Sequence, residues 1–242
     1  ETDEDAIAKF IASVQTGDLP ALLQASDVQT AYLRDSGVAE PAQDFGEDYD
    51  WGNLVDVVAN YYTFEDKVYS MPFMVSQPAI YVNDTALAEA GLSHADLETV
   101  EGLLDAAEKV HETTGRPGLT FHQSGWYMEQ FQSMTDQFLC TPENGVDEAA
   151  TEFNLTSDET VKLWERIGDL YSAGVIHNPG NDGSAATGAF LSEQAAIQLN
   201  SSGNYGNITE ANPSFDWSII ALPRDTAVSY THLRAHETGR NL

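Results

Sequence analysis

Apolar residues recur along this chain in two rhythms. Ile7, Phe10, Ile11 and Val14 fall three and four apart, the spacing of one helix face, and Gly17 stands where a left-handed residue ends a helix. Gly17 to Pro20 then reads as a turn, Ala21 to Gln24 as a short buried strand, and Val28 to Asp35 as a second helix ended by Gly37. Met71 to Val75 is an apolar run broken by Pro72, too short for a helix. It predicts an extended segment, followed by an aromatic and β-branched strand from Ala79 to Val82. Asn83-Asp84-Thr85 supplies a helix N-cap, Ala86 to Ala90 one short helix, and Gly91 its end.

The second half keeps alternating. Asp96 to Thr113 predicts an amphipathic helix with Leu97, Val100, Leu103, Leu104, Ala107 and Val110 inward, stopping near Gly115. Gly118 to Phe121 reads as a strand, Gln123 to Trp126 as a loop, and Tyr127 to Phe138 as a helix. Thr156 to Glu159 forms a capping box ahead of a helix carrying Val161, Trp164, Ile167 and Leu170, ended by Gly174. Ala195 to Leu199 is a strand, Asn200 to Gly206 a polar turn, and Phe215 to Pro223 a final strand. Helices alternating with strands predict α/β lobes with mainly parallel sheets.

Composition narrows the function classes. The chain has 242 residues, enough for one large domain or two small lobes. No apolar run approaches the length that spans a bilayer. The formal net charge of −29 repels nucleic acid and anionic membrane, so neither is expected as a partner. A hydrophobic fraction of 42% argues for a folded protein rather than an acidic disordered one. Such a carboxylate-rich, lysine-poor surface suits salty surroundings, where screening relaxes self-repulsion. Cys140 is the only cysteine, which excludes a disulfide framework and a cysteine-rich metal site. No metal and no cofactor are expected.

The segment from Tyr69 to Leu92 resembles the interdomain crossing of the extracellular solute-binding protein family 1 of ABC importers. Tyr69, Pro72, Phe73, Ser76, Tyr81, Asn83, Leu87, Ala90, Gly91 and Leu92 match that pattern in order. Gly17-Asp18-Leu19-Pro20-Ala21-Leu22-Leu23-Gln24, Ser124-Gly125-Trp126 and Ala195 to Gly203 are similar to further motifs of the carbohydrate and glycerol-3-phosphate-binding branch. The resemblance implies a periplasmic-binding-protein-like, type II, two-lobed α/β fold with a hinge at Met74 to Ser76. It also implies a chain truncated at both ends: residues 1–75 part of lobe I, and 76–226 lobe II. The expected function is capture of a sugar or polyol, with glycerol-3-phosphate or a related diester as the phosphorylated option. The protein would be an extracytoplasmic monomer, periplasmic or a cell-surface lipoprotein, that delivers its solute to the membrane permease without making or breaking bonds.

Sugars present hydroxyl edges and weakly apolar C–H faces, so their sites pair small polar side chains with an aromatic platform. Trp126 is the first platform candidate, at a polar helix start, and Tyr205 the second; Trp51, Trp164 and Trp217 sit in apolar patterns and read as core. By resemblance, Asp27 accepts ligand hydroxyls, although it also reads as the N-cap of the Val28 helix. Ser76 touches ligand from the crossing strand, and Ser202 offers a hydroxyl beside loop amides. Glu129 stands where the glycerol-phosphate branch tends to place a second tryptophan, a departure that favours a neutral sugar. The competing reading is an extracytoplasmic glycoside hydrolase with paired carboxylates; no acid pair stands in a recognisable setting for it. Four sequons, at Asn83, Asn154, Asn200 and Asn207, are read as chance occurrences in an Asn/Thr-rich chain.

The tail departs from the rest. Val228 to Thr238 back-translates to a transposase-type sequencing-library adapter read in frame, so residues 227–242 are read as an artefact. His232 and His236 imitate a helical metal pair with four-residue spacing, and the adapter reading removes their meaning.

Overall fold

A computed structural model describes residues 3–46, 48–145 and 149–224. It divides the chain into two units with the break between Val75 and Ser76. The tail, with His232 and His236, lies outside the described residues.

The first unit holds α1 (Asp3–Thr16), α2 (Thr30–Asp35), α3 (Asp56–Tyr62), β1 (Thr63–Phe64) and β2 (Lys67–Val68). Gly17 and Gly37 follow α1 and α2 with φ of +74° and +68°, as the glycine signals require. β1 and β2 form an antiparallel hairpin, Thr63 opposite Val68. Its two-residue turn puts Glu65 and Asp66 at φ +50° and +64°, the left-handed pair that matches strand twist.

One strand prediction fails here, and one extended run joins no ladder. Ala21 to Gln24 forms no strand, and Leu22 is 93% exposed. Met71 to Val75 is likewise outside any ladder, with Phe73, Met74 and Val75 all exposed. Strand propensity is mostly packing against neighbours. Among the described residues of this unit, the sole ladder is β1–β2.

The second unit runs β3 (Pro78–Asn83), α4 (Asp84–Glu89), α5 (Val100–Thr114), β4 (Leu119–Thr120), α6 (Gly125–Met134), β5 (Cys140–Thr141), β6 (Glu152–Phe153), α7 (Asp158–Ser172), β7 (Ile176–His177), α8 (Gly183–Leu191), β8 (Ile197–Ser201), α9 (Tyr205–Ala211) and β9 (Trp217–Ile220). Five strands make one sheet in the order β7-β4-β8-β3-β9, and β5 pairs with β6 in a separate hairpin. β4 is parallel to β7 and β8, whereas β3 is antiparallel to both β8 and β9. The sheet is therefore mixed, not mainly parallel: β3 enters first and later strands flank it running the other way.

Side-chain alternation divides the core between the sheet faces. Ile80, Val82, Ile197 and Leu199 join the large cluster under α5, α6 and α7. Tyr81 faces the other side, with Phe190, Ile208 and Phe215. The predicted inward set of α5 is met in full, each of Val100, Leu103, Leu104, Ala107 and Val110 being no more than 2% exposed. Thr99 caps that helix by accepting from Gly102 N–H, and Gly115 closes it at φ +72°. α7 starts one residue later than its capping box suggests: Ser157 accepts from Thr160 N–H, and Val161 is 41% exposed. On the outer surface, Arg166 of α7 reaches Glu101, Asp105 and Glu108 of α5, so one guanidinium serves three carboxylates.

Candidate functional site

Register decides which residues share an edge of the sheet. Thr120 of β4 stands opposite His177 of β7 and Gln198 of β8, while Pro78, the first residue of β3, stands opposite Ser201, the last of β8. The carboxyl ends of β4, β7 and β8 and the start of β3 thus lie along one edge. Open α/β sheets take ligands outside the carboxyl ends of their strands. Residues 121–126, 178–182 and 201–205 leave the sheet there. A cavity of about 490 Å³ is lined by Gly115, Arg116 and Pro117 ahead of β4, by Ser192, Glu193 and Gln194 ahead of β8, and by His177 of β7. Its one arginine is shared between Glu89 and Glu193, each at 3.4 Å.

Two of the predicted serines come together. Ser202 Oγ accepts Gln77 N–H at 2.9 Å, and Ser202 N–H donates to the Gln77 carbonyl at 2.6 Å. Ser76 is exposed and lies beside Gly203, where an added Cβ would stand 3.8 Å from its own. With an amide donating to it, the Ser202 hydroxyl keeps its proton for another acceptor.

This turn has an anchor that the sequence did not advertise. The side-chain amides of Gln198, Asn200 and Asn204 gather round Thr187 Oγ1 on α8 at 3.0, 3.4 and 3.2 Å and share its two lone pairs. Asn200 and Asn204 flank Ser201 to Gly203, so one hydroxyl ties down both ends of the turn. Thr187→Val keeps the shape and removes the acceptor. We expect it to cost about 1–3 kcal/mol, the range for leaving buried donors unpaired, while Thr187→Ser stays near wild type. Denaturant unfolding of the two variants checks this; equal stability would mean the amides find other partners.

Trp126 is the second residue of α6, partly buried against the large core cluster, with its ring edge-on to Tyr127 at 4.9 Å. Tyr127 is buried, and its hydroxyl lies 3.1 Å from the Leu199 carbonyl and 3.2 Å from His122 Nδ1. Glu129, further along α6, is exposed. Tyr205 is half exposed, and its ring leans on Trp217 at 5.6 Å, toward the smaller cluster. Trp164 and Trp217 pack against the core clusters, and Trp51 donates its indole N–H to the Gly46 carbonyl.

Asp27 belongs to the first unit. It is the first residue of a single 3-10 turn, Asp27–Gln29, whose N-cap is Ser26, so the capping role expected of Asp27 falls one residue earlier. Its Oδ1 accepts Val28 N–H at 2.9 Å and the Ser26 hydroxyl at 3.1 Å. Its carbonyl receives the Tyr61 hydroxyl at 3.3 Å.

Sequence reasoning also missed His122, Gln123 and Asn178. Gln123 Nε2 donates to Asn178 Oδ1 at 3.2 Å, and Gln123 N–H to the Gly180 carbonyl at 2.6 Å, joining the β4 and β7 exits. β7 has two residues and no periodicity of its own, so nothing in the sequence placed Asn178 at a strand end. Asn83 is fully buried and caps α4 through Ala86 N–H at 2.9 Å, which leaves no room for a glycan on that sequon.

The second unit is thus a mixed sheet covered by helices, with small polar side chains and an aromatic at its strand exits. The chain belongs to the bacterial extracellular solute-binding protein family, which it matches over residues 1–234. Among relatives, it is 28% identical over 232 residues to the sn-glycerol-3-phosphate-binding periplasmic protein UgpB of Escherichia coli K12, covering 92% of this chain and 52% of that protein. To UgpB of Pectobacterium atrosepticum it is 27% identical over 230 residues, covering 92% and 51%. The chain thus spans about half the length of these relatives. Among solved structures it is similar to the GacH receptor of Streptomyces glaucescens, crystallised with acarbose (TM-score 0.74, 20% identity, 93% of this chain and 57% of that one). It is also similar to UgpB of Mycobacterium tuberculosis in complex with glycerophosphocholine (TM-score 0.72, 20% identity, 92% and 57%). These structural likenesses establish the fold.

Proposed function

We propose that this chain is the substrate-binding component of an ABC importer and captures a neutral sugar or polyol outside the cytoplasm for delivery to a membrane permease. The observation that carries this reading is the sheet edge of the second unit. Ser76, Ser202 and the Gln123–Asn178 pair gather there beside the start of the helix that carries Trp126, in a chain of the solute-binding family. Hydroxyls and amides both donate and accept, which matches the hydroxyl edge of a sugar, and an indole covers its C–H face. Asp27 is proposed as a further hydroxyl acceptor, and Glu129 and Tyr205 as peripheral contacts.

The relatives named for glycerol-3-phosphate make a phosphorylated ligand the natural comparison. Glu129 in place of an aromatic argues against it, because a carboxylate repels a phosphate. The acid that stands at the β7 exit, Asp182, caps α8 by accepting Ser184 and Ala185 N–H. That use favours binding over hydrolysis.

Thermal unfolding of the full-length protein against a panel of mono- and disaccharides, polyols and glycerol phosphodiesters tests the reading. Saturable stabilisation by a sugar or polyol, with the ligand recovered unchanged, is the expected result. Turnover of a chromogenic glycoside, or stabilisation by phosphodiesters alone, would overturn it.

A further inference from the structure

His122 is the first polar residue after β4, and the hydrogen bonds around its ring point to one tautomer. The Tyr127 hydroxyl has a single proton, and burial raises the phenol's pKa far above neutrality, so it keeps that proton. The Leu199 carbonyl, 3.1 Å away, can only accept, so the phenol donates there. The contact between the phenol oxygen and His122 Nδ1, 3.2 Å, then requires a proton on Nδ1. A neutral imidazole protonated on Nδ1 carries its lone pair on Nε2. The ring stands edge-on to Tyr127, at 90°, and lies against Gly183, where an added Cβ would approach it to 3.3 Å. Nε2 makes no hydrogen bond to any described residue.

We propose that Nε2 of His122 accepts a hydrogen bond from a hydroxyl of the bound ligand, with Tyr127 and the Leu199 carbonyl fixing the tautomer that makes it an acceptor. The inference rests on the sugar-binding reading and sharpens it, because an acceptor at this position selects a hydroxyl donor over an anion. The titratable groups facing the ring are Tyr127 from α6 and Asp182 at the head of α8. Burial lowers the histidine's pKa and outweighs the opposing pull of Asp182, so the ring is neutral at pH 7. Protonation turns Nε2 into a donor. A polyol should therefore bind less tightly as pH falls through the titration of His122, and a phosphate or phosphodiester more tightly.

Two measurements on the full-length protein test this. Nitrogen-15 NMR of the histidine rings should show His122 protonated on Nδ1 and should give the pH at which it titrates; an Nε2-protonated ring overturns the inference with no ligand needed. Affinity for the best sugar or polyol of the panel should fall about tenfold below that pH, the scale of one lost hydrogen bond, and should stay flat in His122→Gln. A wild-type profile that is flat through the titration, or that rises on acidification, overturns the inference while leaving the binder intact. No sugar or polyol binding at any pH overturns both.

Discussion

Gly118→Ala is expected to lower the melting temperature of the chain by about 10 °C or more, or to abolish folding of the second unit. A Cβ at residue 118 would sit 2.0 Å from the Ala107 carbonyl oxygen and 2.4 Å from its Cα. Both are backbone atoms of α5, so no side chain can swing aside. Gly118 cannot retreat either, because its N–H donates to the Val175 carbonyl at 2.8 Å and its carbonyl receives Ile197 N–H at 2.9 Å. These bonds lead into the β4–β7 and β4–β8 ladders, so relief means lifting α5 from the sheet and opening the core beneath Leu103, Leu104 and Val110. Overpacking usually costs about 1–3 kcal/mol; a backbone clash pinned on both sides should reach about 4 kcal/mol or more. Gly168→Ala is the matched control. It lies within α7 with nothing within 4 Å of an added Cβ, and should gain about 0.5–1 kcal/mol from helix propensity. Calorimetry of both variants checks the pair. A Gly118→Ala chain that melts within a few degrees of wild type would show that α5 does not rest on this glycine.

Gly118 also illustrates what a sequence conceals. Its place at a strand start was legible; the approach of a helix backbone was not, because that depends on Ala107, eleven residues earlier, being small and inward. Amphipathic helices were the easiest elements to read. α5 announced itself through five apolar positions and a terminal glycine; the sixth predicted residue, Leu97, is buried in the 3-10 turn His94–Leu97 ahead of it. Isolated extended runs were the hardest. Ala79 to Val82, rich in β-branched and aromatic residues, became an inner strand flanked by β8 and β9, whereas Ala21 to Gln24 has weaker propensity and pairs with no strand among the described residues. A strand is a property of a pair, and a single run carries half of that information.

The candidate site follows the same division. Ser76, Ser124-Gly125-Trp126 and Ser202 were nominated by motif, and register places the segments carrying them along one sheet edge. His122, Asn178 and Thr187 were not, since each gains its role from distant partners: Leu199 through Tyr127, Gln123 across the gap between strand exits, and three amides on β8 and the following turn. Tyr205, nominated from the polar turn, is half exposed with its ring against Trp217.

Trp126→Ala is expected to weaken sugar or polyol binding about a hundredfold, or about 2.7 kcal/mol. Buried tryptophans that anchor a ligand are among the costliest residues to truncate, because one rigid ring supplies large contact area with little conformational entropy. Here the indole is held before any ligand arrives: its inner side packs on the large core, and Tyr127 stands edge-on to it. The same packing means that truncation also destabilises the fold, so affinity must be measured well below the melting temperature of the variant. Trp126→Phe separates the two effects. It restores much of the core contact but offers a smaller face to the ligand, so stability should recover more fully than affinity. Isothermal titration with the panel's best sugar or polyol, paired with calorimetry, reads both quantities. Affinity that survives Trp126→Ala would make this tryptophan a core residue alone and would move the platform to another ring.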